Sequence, residues 1–183
     1  ICEGYIDNVD VKLDDWPVLN GTLYEGQKLI DLLNMRAGDQ KIIGEKNFNS
    51  DNRIKDQRDF NVNVYPIAKV MKSEILQNTK KSSAIYNYNA LATNTIMNYV
   101  IFKSGDDYQK LLNKVFKEDA KIKNSVFFHK TIRSRYANQK KGEYGRYSFY
   151  ADRYDYLRIA KAVMDHWNND TCVGKYLKTV YDR

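Results

Sequence analysis

Only two cysteines occur in this 183-residue chain, and they stand near its opposite ends, at Cys2 and Cys172. A bond between them closes a loop of about 170 residues, which a chain-entropy argument values at about 5 kcal/mol. Any fold that makes this bond must bring the end of the chain back to its beginning. Two separate buried thiols are the competing reading. Both cysteines lie in polar surroundings rather than on apolar faces, with Glu3-Gly4 after the first and Asn168-Asn169-Asp170 before the second. That context favours pairing, and pairing implies an oxidising compartment, secreted or periplasmic.

The segment leading to Cys172 has the clearest periodicity. Across Asp152–Trp167, Tyr156, Ala160, Val163 and Trp167 recur at helical spacing, and Leu157, Ile159 and Met164 widen the stripe. The pattern predicts a long helix whose broad apolar face belongs to the core. A polar break follows, then a final helix over Cys172–Tyr181 that gathers Val173, Tyr176, Leu177 and Val180, with Gly174 weakening it.

Earlier elements are read in the same way. Val9, Val11 and Leu13 alternate with charged residues, as a short strand or an extended arm over helices would, and Trp16-Pro17 opens a loop. Thr22 and Glu25 have capping-box spacing and predict a helix over 22–36. Residues 38–64 are rich in Asn and Asp, hold no single period and read as a long polar loop. Pro66 opens a helix to about Asn78, and apolar positions from Ala84 to Val100 predict another over 83–102 with its asparagines toward water. Ser104 and Asp107 then start a helix to about Asp119. The fold class expected is all-α, a single compact bundle of five or six helices forming one domain over 1–183, with a basic loop or short hairpin near 129–150.

Composition bears on function through its distribution. Apolar residues make up 43%, and fifteen tyrosines are more aromatic surface than a disordered chain carries. No apolar run is long enough to span a membrane. The chain opens on Ile with no basic-then-apolar leader, which reads as either a mature form with its signal removed or a shortened chain. The net charge of +7 is confined to one stretch: 121–146 holds eight basic residues and one acid, leaving 22 of each sign elsewhere.

That stretch contains the sharpest functional candidates. Lys130, Arg133, Arg135, Tyr136, Lys140, Lys141, Tyr144, Arg146 and Tyr147 interleave cations with tyrosines, a combination suited to an acidic macromolecule or to unpaired nucleic acid. A metal-independent nuclease would further need a proton shuttle and a clamp on the phosphate, roles open to His129 and Arg133. His166 and Asp170, four apart, meet only if the helix extends that far, and a histidine at a helix end is otherwise unremarkable. No zinc spacing, phosphate loop or nucleophile motif occurs, so neither a metal nor a cofactor is expected. Asn20-Gly21-Thr22 and Asn169-Asp170-Thr171 fit the glycosylation acceptor pattern, which an Asn-rich chain meets by chance. The resulting expectation is an exported protein that binds another macromolecule, of inhibitor, immunity, adhesion or effector type; a small nuclease or nucleic-acid-directed toxin is the alternative.

Overall fold

The core is built around the N-terminal arm. In the computed structural model, which describes residues 1–22, 24–37, 86, 88, 90–123, 127–130 and 147–183 (90, 91, 127–130 and 147–150 by backbone alone), two single 3₁₀ turns, Leu13–Asp15 and Pro17–Leu19, flank Trp16. Just ahead of the first of these turns, Val11 and Lys12 run beside the segment entering the first helix, and Lys12 forms one antiparallel bridge with Lys28. The Leu13 amide donates to the Gln27 carbonyl (3.1 Å), and the Leu29 and Ile30 amides donate to the Val11 and Val9 carbonyls (3.0 and 2.8 Å). Of the short strand or extended arm expected over these residues, a single bridge at Lys12 forms, between a turn at 9–10 and the 3₁₀ turn from Leu13. Alternation turns Val9 and Leu13 inward, and the arm's backbone groups are satisfied without a full sheet.

The helix expected over 22–36 shrinks to α1, Leu29–Leu33. The reason is local. Thr22 Oγ1 donates to the Leu19 carbonyl (2.7 Å) and accepts from the Tyr24 amide, while Glu25 accepts from the Gly21 amide. These groups close a turn, and Gly26 at φ +71° takes the left-handed conformation that a helix cannot contain. The capping-box residues thus serve a loop. The arm and α1 bury Leu13, Trp16, Leu19, Tyr24 and Leu32 almost completely.

The next helix, α2 (Ala90–Ser104), closes this core from the other side. Its Tyr99 is buried beside Trp16 (ring centroids 6.1 Å apart) and donates to Asp15 Oδ1 at 2.9 Å; Phe102 stacks on the same indole at 5.9 Å. The asparagines do not face water as expected: Asn94 and Asn98 are buried with Thr95. Asn98 can be accommodated because its amide donates to the Asn94 carbonyl at 2.7 Å, so burial leaves that donor satisfied. A 3₁₀ turn, Gly105–Asp107, leads into α3 (Tyr108–Asn113), which widens into an i→i+5 turn over Lys114–Asp119.

Phe127–Lys130 (β1) and Tyr147–Tyr150 (β2) pair antiparallel, while the residues between them, where a basic loop or short hairpin was expected, lie outside the described residues. Two helices complete the chain. Asp152 caps α4 (Arg153–Asn168) by accepting from the Asp155 amide, and Thr171 caps α5 (Cys172–Asp182) by accepting from the Gly174 amide. Both fall within two residues of their expected bounds. Cys2 and Cys172 are bonded, with Cα atoms 5.8 Å apart. Arg183 grips Asp10 through both terminal nitrogens (2.7 and 2.9 Å), and Lys28 reaches the same carboxylate, holding its pKa well below the usual range. The result is a helical bundle with four clear helices among the described residues, α2–α5, and a short α1. The polar loop near 38–64 and the helix expected from Pro66 lie outside the described residues.

One core residue is poorly satisfied. Tyr24 has no exposed surface, yet its hydroxyl has no hydrogen-bond partner among the described residues, and burial drives its pKa far up. Removing that hydroxyl relieves an uncompensated desolvation, so Tyr24→Phe is expected to raise stability by about 1 kcal/mol in a urea melt. Below pH 10 the folded and unfolded chains both keep the phenolic proton. Above about pH 10 the unfolded chain loses it and the folded one does not, so stability falls as pH rises through that range. The Tyr24→Phe chain should lose less stability between pH 9 and pH 11 than the parent does.

Candidate interaction surface

The C-terminal pair α4–α5 is held by contacts near the end of α4, where Trp167 of the apolar stripe meets α5, while the stripe from Tyr156 to Met164 stays open. At the turn, the two backbones approach so closely that a Cβ on Gly174 would lie 1.9 Å from the His166 carbonyl oxygen. Glycine is the only residue that permits this crossing. His166 Nδ1 lies 2.8 Å from Thr171 Oγ1, tying the end of α4 to the start of α5. Asp170 does not meet His166; its carboxylate takes the Lys178 ammonium, which keeps its pKa below the ordinary value. Lys178 also sits 5.5 Å above the Trp167 ring, and Tyr181 meets that ring edge-on at 5.7 Å. Near the other end of α4, Asp155 is fully buried, and Arg158 donates to it at 2.6 Å.

The stripe that predicts a core face is therefore elsewhere. Leu157 is 65% exposed, Met164 63%, Tyr156 50% and Val163 43%, and Ala160 between them is exposed too. Tyr154 adds a further ring at 65%. Helical spacing places Tyr156, Leu157, Ala160, Val163 and Met164 within about a third of the helix circumference. This is a contiguous apolar face turned to solvent over more than two turns. The helix itself was legible in the sequence. What it faces was not, because periodicity marks a face without saying what that face meets.

Of the residues singled out from the sequence, Cys2 and Cys172 are joined as expected. His129 and Lys130 lie on β1, opposite Ser148 and Tyr147 of β2. Arg133, Arg135, Tyr136, Lys140, Lys141, Tyr144 and Arg146 lie outside the described residues. Among the described residues, no three His, Cys, Asp or Glu side chains come close enough together to hold a metal ion, and no helix is long and apolar enough to cross a membrane. The chain matches no protein family, and no curated protein or solved structure is similar to it.

Proposed function

We propose that this is an exported protein that binds another protein through the open face of α4. The exposed stripe of Tyr156, Leu157, Val163 and Met164 carries this reading. Isolated exposed apolar side chains are ordinary, whereas several on one helix face, with tyrosine hydroxyls at the edge, have the make-up of a contact surface. Tyrosine contributes large area at low entropic cost, and methionine adapts to the partner's shape. Arg153, Lys161 and Asp165 border the face with mixed charge, and Lys161 and Asp165 already pair with each other. A mixed-charge border suits a protein partner better than a polyanion. The Cys2–Cys172 bond supports export, because such bonds persist in oxidising compartments.

The test is a comparison of the parent with a Leu157→Glu, Met164→Glu double variant. Both side chains are exposed, so the variant should melt within about 0.5 kcal/mol of the parent. Photo-crosslinking from position 160 in extracellular fluid should yield a discrete protein adduct with the parent and none with the variant. Adducts equal in both chains would reject the face, and an adduct of twice the chain mass would point instead to self-association. In parallel, labelled RNA and DNA incubated in EDTA should remain intact. Cleavage that disappears in a His129→Ala chain would favour the nuclease reading.

A further inference from the structure

A second apolar feature lies far from the α4 face in character, because it is concave. Beneath the disulfide, the arm, α1, α2, α3 and α5 converge without filling the space between them, leaving a cleft of about 240 Å³. Ile6, Leu29, Ile96, Val100, Leu111 and Val173 form its walls. The volume exceeds that of an apolar cavity of about 150 Å³ that takes benzene, and falls short of the roughly 300 Å³ at which drug-sized sites begin.

Two polar contacts already tie down groups at its rim, where Asp119 also lies. Lys114 Nζ contacts both carboxylate oxygens of Glu3 at 2.6 Å, and the Tyr5 hydroxyl donates to Asp107 at 3.0 Å. Between the apolar walls a full charge would be stripped of water, which is unfavourable. The apolar walls therefore suit an uncharged occupant.

The backbone at the rim is unusual as well. From Lys114 to Asp119 the helix runs with i→i+5 bonding, Ala120 donating to the Val115 carbonyl at 3.1 Å, and Lys121 then turns left-handed at φ 55°. Such wide turns are rare and concentrate at functional sites, where they re-aim side chains. Here Lys114, Val115 and Asp119 from this one turn all border the cleft.

We infer that the cleft is a binding site for a small uncharged apolar molecule, a short aliphatic chain or a one- or two-ring compound. Leu29 and Leu33 of α1 and Ile96 and Val100 of α2 line it from the core, and Cys2 with Val173 and Tyr176 of α5 line it as well. This site is independent of the α4 face, and the experiment separates the two.

The full chain is titrated calorimetrically with 1-heptanol, heptanoate and heptylamine at pH 7, and backbone amide NMR shifts are followed for 1-heptanol. Saturable 1:1 binding of 1-heptanol is expected, with both charged analogues weaker by about tenfold or more. The largest shifts should fall on Ile96, Val100, Leu111 and Val173. Filling the cleft with Val100→Phe, or with Leu111→Phe should the first variant lose its fold by circular dichroism, should weaken binding by a similar factor. The Leu157→Glu, Met164→Glu chain should bind as the parent does. Absence of saturable binding, equal affinity for the charged analogues, or shifts confined to α4 would each overturn the assignment.

Discussion

Cys2→Ser combined with Cys172→Ser is expected to lower the stability of the protein by about 5 kcal/mol, the largest single loss available to this chain. The bond spans 170 positions, so it removes a large share of the conformations open to the unfolded chain. Domains of this size have about 5–15 kcal/mol in total, so the double variant would be near its folding limit at body temperature. Other contacts between the ends cannot replace the bond, because the Arg183–Asp10 pair lies in water, where ion pairs are screened. Urea melts of the parent, the double variant and the parent in reductant provide the measurement. The last two should coincide at a much lower midpoint than the first. A midpoint unchanged by reduction would mean that the unfolded chain was already compact without the bond.

Trp16→Ala should have the next largest effect, a loss of about 3–5 kcal/mol. The indole is 1% exposed and packs against Tyr99 and Phe102, with Leu13 and Leu19 on either side in sequence also fully buried. Truncation would leave a cavity that the rigid 3₁₀ turns cannot collapse to fill. Leu157→Ala provides the contrast. Its side chain is 65% exposed, so the change should cost no more than about 0.5 kcal/mol. The same urea melts rank the two. If Leu157→Ala proved the costlier change, the main core would lie at the C-terminal stripe, as periodicity alone suggests, and the α4 face would lose its standing as a contact surface.

Local and tertiary information divide cleanly in this chain. Helices α4 and α5 were legible because each carries its own stop and start: Asp152 accepts from an amide three residues on, Thr171 does the same, and Asn169-Asp170 interrupt between them. The wrong expectations have the same root in a different place. Thr22 and Glu25 have the right spacing for a helix cap, but the same hydrogen bonds also close a turn, and the pairing of residues 27–30 with the arm selects the turn. Asn98 looks like a surface residue until its donor finds the carbonyl one helical turn back, which makes burial tolerable. The candidate surface was likewise visible as a stripe and misassigned as core, while the cleft has no sequence signature, since its walls come from five separate segments.

By itself, then, the sequence determined which closure of the chain was possible, since two cysteines admit one intramolecular bond, and the extent of the two C-terminal helices, since caps and breaks act over three or four residues. Only the tertiary structure decided which apolar groups are inside. Burial depends on what a face meets, and the aromatic residues of the N-terminal arm with α2 fill the interior that the C-terminal stripe was expected to fill. The stripe on α4 is left facing solvent for that reason.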